Sequence, residues 1–98
     1  MDELQFEWDE DKATQNVAKH GVSFLTAAGI FANEIIEGID DREDYGELRF
    51  IALGRVEMEI YLVAYTWRGE VRRIISAWRV DDEGKRRYEA ILARNPQG

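Results

Sequence analysis

Three strand-like runs in the second half of the chain follow one another with almost no room between them. Leu48–Leu53, Glu59–Trp67 and Glu70–Trp78 are rich in β-branched and aromatic residues, which suit a pleated, half-buried surface. Gly54 opens the first connection, and the pair Arg68-Gly69 makes the second short enough for a two-residue hairpin. Connections this short cannot carry a parallel crossover, so the three runs must pair antiparallel. A fourth run, Ile35-Ile36-Glu37-Gly38-Ile39, precedes them across an acidic loop, Asp40–Glu47. The second half of the chain is therefore a meander.

The first half reads as helical. Phe6-Glu7-Trp8 is a short strand or extended lead-in, and Asp9 is placed to cap a helix whose first turn carries Glu10 and Asp11. Ala13, Asn16, Val17 and His20 recur at helical spacing, and Gly21 follows as a left-handed stop. Ser23 caps a second helix with the stripe Phe24, Ala27, Ala28 and Phe31. Val22 and Ala27 are spaced to staple its entrance. Asp81 or Asp82 begins a last helix in which Tyr88, Ile91 and Leu92 can dock on the sheet. The expected fold class is α+β: two N-terminal helices, an antiparallel meander sheet and a C-terminal helix, forming one domain over residues 1–98. No linker, repeat or low-complexity tract divides the chain, and its one proline, Pro96, lies in the tail.

Composition narrows the chemistry. There is no cysteine, so disulfides and thiolate metal sites are excluded, and the single histidine with scattered acids shows no metal-ligand spacing. Phosphate-loop and dinucleotide fingerprints are absent, no cofactor is implied, and no apolar run is long enough for a membrane helix. The Met-Asp-Glu-Leu-Gln start lacks the features of a signal peptide, so the expected compartment is the cytoplasm. The net charge of −7 argues against a nucleic-acid partner until it is divided. Residues 1–47 carry 13 acidic and 3 basic side chains, net −10. Residues 48–98 carry 7 acidic and 10 basic ones, net +3, and nine of the ten bases are arginine. Arginine's planar fork suits bidentate contact with phosphate.

Arginine, one histidine, tyrosine, serine and carboxylates suffice for metal-free RNA cleavage. The substrate supplies its own nucleophile, the 2′-hydroxyl, and the protein need only orient the attack, move two protons and stabilise phosphoryl charge. The candidate phosphate-binding residues are Arg49, Arg73 and Arg79. Strict alternation in the last strand puts Arg73, Ile75, Ala77 and Arg79 on one face and Arg72, Ile74, Ser76 and Trp78 on the other. The same arginines also read as snorkelling strand-end side chains that shield a core. His20 is the candidate for proton transfer, and equally a favourable charge at the end of a helix.

Phe6-Glu7-Trp8-Asp9, Lys19-His20-Gly21-Val22-Ser23-Phe24, Arg49-Phe50-Ile51-Ala52-Leu53-Gly54 and Arg73-Ile74-Ile75-Ser76-Ala77 resemble the BrnT family of toxins. Arg87-Tyr88-Glu89 is similar to the closing helix of that family. The resemblance runs from about Phe6 to Glu89. It implies a RelE-like fold and a metal-independent ribonuclease. It also implies an antitoxin of the BrnA type with a ribbon-helix-helix part, through which the complex reaches operator DNA and represses its own operon. One position departs from the pattern. Where the family usually has arginine after Ser-Ala, this chain has Trp78, followed by Arg79. Neighbours on a strand face opposite ways, so Arg79 does not simply replace the missing residue. Trp78 is instead suited to stack on an RNA base or to pack on a partner. The alternative function is a non-catalytic domain that binds its antitoxin and acts only in transcriptional autoregulation.

Overall fold

The computed structural model describes residues 5–94 of the 98-residue chain; the first four residues and the tail that holds Pro96 lie outside it. Strand β1 (Phe6–Trp8) leads into helix α1 (Glu10–His20), helix α2 (Phe24–Ala28) and a 3-10 turn (Gly29–Ala32). Strands β2 (Ile35–Ile39), β3 (Phe50–Val56), β4 (Glu59–Arg68) and β5 (Val71–Arg79) follow, and helix α3 (Asp82–Arg94) closes the chain.

Local chemistry sets the helix ends. The Asp9 side chain accepts from the Lys12 N–H, and Ser23 does the same for Thr26. Gly21 ends α1 in the left-handed region at φ 69°, with its N–H returned to the Val17 carbonyl. Only glycine adopts that conformation without a Cβ penalty. The Asp81 carboxylate accepts from the Gly84 N–H at 2.8 Å and so caps α3.

The sheet order is β1-β5-β4-β3-β2. Strands β2 to β5 form the expected antiparallel meander, whereas β1 pairs parallel to β5, with Phe6, Glu7 and Trp8 opposite Arg72, Arg73 and Ile74. Everything between β1 and β5 in sequence serves as the crossover that a parallel pair needs. The two tight turns differ from expectation. Arg68 pairs with Val71, so the second turn is Gly69-Glu70, one residue later, with Gly69 at φ 63°. The first is Glu57-Met58, because β3 runs on through Gly54 to Val56. Gly54 is a packing residue: a Cβ there would lie 2.6 Å from the Cβ of Ile30, so the 3-10 turn can approach the sheet closely only over glycine.

A bulge in β5 changes which side chains share a face. Ala64 pairs with Ser76, but Tyr65 pairs with Ile74, leaving Ile75 without a partner. Alternation therefore resets. Arg72, Ile74, Ala77 and Arg79 lie opposite Trp67, Tyr65, Val63 and Tyr61, on the face covered by α1 and α2. Arg73, Ser76 and Trp78 lie on the other face. Arg73 and Arg79 consequently do not share a face, contrary to the strict-alternation expectation.

The core sits between the helices and the first of these faces, where Phe24, Ala27 and Ile30 meet Ala52, Val63, Tyr65, Ile74 and Ala77. In α1 the buried side chain is Asn16, while Val17 and His20 are exposed. On the other face α3 buries Tyr88, whose hydroxyl donates to the Glu34 carbonyl at 2.8 Å. Ile91 stays largely exposed. The Asp40–Arg49 loop is fastened to that same face by Thr66, whose hydroxyl donates to the Leu48 carbonyl at 2.7 Å.

Candidate active site

Because β1 ends opposite Ile74, the outer edge of β5 from Ile75 to Arg79 has no neighbouring strand. The Asn16 side chain takes the strand's place. Its amide donates to the Ala77 carbonyl at 2.7 Å and to the Val22 carbonyl at 2.9 Å, and its oxygen accepts from the Ala77 N–H at 3.2 Å. Each of these backbone groups would otherwise be a buried polar orphan. The bond to Val22 also ties down the chain just after Gly21, which fixes the end of α1 against β5.

That clamp brings α1's last turn over the exposed end of β5. The rings of His20 and Trp78 lie 5.7 Å apart between centroids, inclined by 38°. The Arg42 guanidinium, from the acidic loop, is 5.7 Å from the centroid of the same indole. Arg79 lies beside them, loosely paired with Glu59 at 3.6 Å and 5.8 Å from the Tyr61 ring centroid. Two open clefts flank the last turn of α1. One, of about 510 Å³, is lined by Lys12, Gln15, Asn16, Ile75 and Ser76 among others. The other, of about 470 Å³, is lined by Lys19, His20, Trp78 and Arg79. Both include Lys19 and His20, so a cationic surface forms here on an otherwise acidic chain.

Arg42 differs from Lys19 and Arg79 in making a two-point ion pair. Its Nε and Nη2 donate to the two oxygens of Asp40, each at 2.7 Å, and the Asp40 side chain is buried. The guanidinium bonds hold the Asp40 carboxyl below its ordinary value of 3.8, outweighing the cost of its burial. Asp40 in return raises the pKa of Arg42. The pair is internally neutral and holds the loop's guanidinium over Trp78.

His20, Trp78 and Arg79 are thus brought together, and Arg49 and Arg73 are not. Arg49 precedes β3, where it pairs with Glu47 at 3.2 Å and stacks 4.0 Å from the Tyr45 ring centroid. Arg73 points to the other face and pairs with Glu7 of β1 at 2.7 Å. Neither lines the clefts around Lys19 and His20. Among the described residues, no group of three or more His, Asp or Glu side chains is placed to hold a metal ion. Nor is any helix among them long and apolar enough to cross a membrane.

The family described as the ribonuclease toxin BrnT of type II toxin–antitoxin systems matches residues 8–84. The chain belongs to that family. The solved structure of the Brucella abortus ribonuclease toxin BrnT is similar at 23% identity, covering 82% of this chain and 100% of that one, with a TM-score of 0.63. At that identity the likeness establishes the shared fold. A comparison with curated proteins gave no match. As a type II toxin, this BrnT-family member has an antitoxin as its partner. Lys19 opens one of the family-like blocks but by itself reads as an ordinary helix-terminal base, and Arg42 carries no local signature, lying in a stretch of acids that reads as a loop. An Asp-x-Arg spacing, Asp40 to Arg42, was the one available hint of a self-paired arginine.

Proposed function

We propose that the chain is a metal-independent endoribonuclease that works as one domain and cuts RNA at the exposed end of β5. The observation that carries this reading is the convergence of an imidazole, an indole and an arginine, His20, Trp78 and Arg79, beside Lys19. In the reaction the 2′-oxygen of RNA attacks the adjacent phosphorus as its proton leaves. The bond from phosphorus to the 5′-oxygen breaks, and a proton goes to that departing oxygen. The products are a 2′,3′-cyclic phosphate and a 5′-hydroxyl. His20 is the proposed proton-transfer group. Arg79 and Lys19 supply positive charge for the phosphoryl oxygens. Trp78 offers a stacking surface for a base, kept in place by the guanidinium of Arg42. Arg49 and Arg73, each already ion-paired, are proposed as contributors to RNA tracking at most.

The antitoxin is proposed to be BrnA-like, with a ribbon-helix-helix part that carries the complex to operator DNA, and the pair to act in the cytoplasm. A second reading is favoured by one observation. Trp78 stands where the family pattern places an arginine, and a domain so altered would bind its antitoxin and act in autoregulation without cutting RNA. Purified toxin incubated with RNA in excess chelator separates the two. The cleavage reading expects fragments ending in 2′,3′-cyclic phosphate, with the His20→Ala protein slower by about 10²-fold or more. Activity lost in chelator and restored by magnesium would defeat the mechanism. Intact RNA under every condition would leave the non-catalytic reading.

A further inference from the structure

Helix α1 turns a polar stripe toward the open edge of β5. Lys12, Gln15, Asn16 and Lys19 recur at helical spacing, and Asn16 is spent on holding the strand edge. The other three line the cleft of about 510 Å³ together with Ile75 and Ser76. Among the described residues neither lysine has an ion-pair partner within 4.0 Å. The Gln15 amide and the Ser76 hydroxyl make no hydrogen bond there either. Unspent donors are thus gathered on one wall.

Charge and spacing say what fits between them. No carboxylate lines the cleft, although Glu10 and Asp11 stand on the same helix. Lys12 and Lys19 are seven positions apart on one helix face, about 10 Å along the axis. That span suits successive phosphates of one strand better than a single anion. Ile75, the bulge residue without a partner on β4, adds an apolar surface against which a base or ribose can rest. Lys19 and His20 also line the second cleft, with Trp78 and Arg79, so a chain lying in one cleft passes His20 to enter the other. A peptide strand is disfavoured at this edge. Adding one to β5 would need the Ala77 N–H and C=O, and Asn16 already occupies both.

We propose that the cleft of Lys12 and Gln15 is a second nucleotide subsite, which holds the neighbour of the nucleotide placed at Trp78. Single-stranded RNA then runs along the edge of β5, with one phosphate at Lys19 and His20 and another at Lys12. Gln15 and Ser76 offer hydrogen bonds to the base or ribose between them. The inference rests on the reading that RNA binds beside His20, and it extends that substrate from one nucleotide step to a longer single strand.

The test measures binding of a fluorescent RNA dinucleotide and hexanucleotide, both 2′-fluoro throughout so that the nucleophile is absent, and cleavage of the unmodified hexanucleotide in parallel. Wild type should bind the hexanucleotide about 10-fold or more tighter than the dinucleotide. Lys12→Ala should weaken hexanucleotide binding about 3–10-fold, lower its salt slope by about 0.7 and narrow the gap between the two lengths. Lys12→Arg should restore most of the loss. Gln15→Ala should cost about 2–3-fold at an unchanged salt slope, since it removes a neutral contact. Arg86→Ala takes the same charge from an exposed position on α3 and should stay within twofold. Lys12 is exposed, and its bond to Asp9 comes from the backbone N–H, so the substitutions spare the fold, which thermal melts confirm. Lys12→Ala binding within twofold of wild type, or an equal loss from Arg86→Ala, would overturn the proposal. So would absence of RNA binding by wild type, or a Lys12→Ala protein that loses affinity for the cognate antitoxin and not for RNA. A wild type that binds the hexanucleotide through Lys12 but leaves the unmodified RNA intact would support the subsite and count against the cleavage reading alone.

Discussion

The two ends of β5 carry the same pair of residue types in opposite circumstances. At one end Arg79 adjoins Trp78; at the other Arg72 faces Trp67 across the β4–β5 ladder. Arg79 is about half exposed, and its ion pair to Glu59 is long. Arg72 is enclosed by Phe31, Tyr65 and Trp67, its Nε is buried without a hydrogen-bond partner, and burial lowers its pKa. The difference comes from the neighbours. Strand β1 lies alongside Arg72 and ends before Arg79, where a single asparagine side chain takes over the edge. An arginine held among aromatic rings is a packing element; one beside an open edge remains available to a phosphate.

Alanine at each position breaks the comparison if the two residues are in fact alike. Arg79→Ala should lower RNA cleavage by about 10²–10³-fold, the scale for loss of one preorganised charge-stabilising donor. Its unfolding free energy should stay within about 0.5 kcal/mol of wild type, as for other exposed sites. Arg72→Ala should do the reverse. Removing a guanidinium that touches three rings, each contact worth about 0.5–1 kcal/mol, should destabilise by about 1.5–3 kcal/mol and change the rate of folded protein little. Chemical denaturation and a fluorescent RNA substrate give both quantities. Equal effects of the two substitutions on rate would remove the functional distinction between the two ends.

Asn16 is what makes the Arg79 end possible, so it offers a sharper structural test. Asn16→Leu keeps the branching and heavy-atom count but strands the Ala77 N–H and C=O and the Val22 carbonyl. Each orphan costs about 1–3 kcal/mol, moderated where water can enter. A loss of about 2–4 kcal/mol is expected, with faster hydrogen exchange at the Ala77 amide than elsewhere in β5. A substitution that costs under about 0.5 kcal/mol would show that the edge is held by something other than this side chain.

What the sequence disclosed follows the same division. Features governed by nearby residues were legible: the Asp9 and Ser23 caps, the Gly21 stop, the meander, and the family blocks that bracket His20 and Ala77. Features governed by distant contacts were not. Gly54 looks like a turn residue until Ile30 is seen to press on it, and the true turn falls on Glu57, which adopts φ 55° without being glycine. The bulge at Ile75 has no glycine or proline to announce it, yet it decides which arginines share a face. Asn16 reads as a helix-face residue, because nothing local tells that its partner lies 61 positions away. The grouping that makes the candidate site was legible where it rests on α1 and β5 and illegible where the Asp40–Arg49 loop folds back onto Trp78.

That loop gives the smallest effect, and pH isolates it. The folded pKa of Asp40 lies below its ordinary value of 3.8 because Arg42 favours the carboxylate. A depressed acid contributes stability that is present above the unfolded pKa and is lost as pH falls through the folded one. Between pH 7 and pH 5 the contribution is therefore constant, and it fades below about pH 4. Asp40→Asn removes the charge but keeps an acceptor for the guanidinium. Arg42 is more than half exposed, so solvent takes up much of the loss, and a cost of about 1 kcal/mol is expected at pH 7. The gap between wild type and Asp40→Asn should then close as the pH is lowered from 5 to 3. If Arg42 serves to hold Trp78, the variant should also weaken RNA binding at pH 7 by a few-fold. Melting curves that stay parallel down to pH 3 would show that the Asp40–Arg42 pair contributes nothing. Trp78 would then be positioned by His20 and the strand alone.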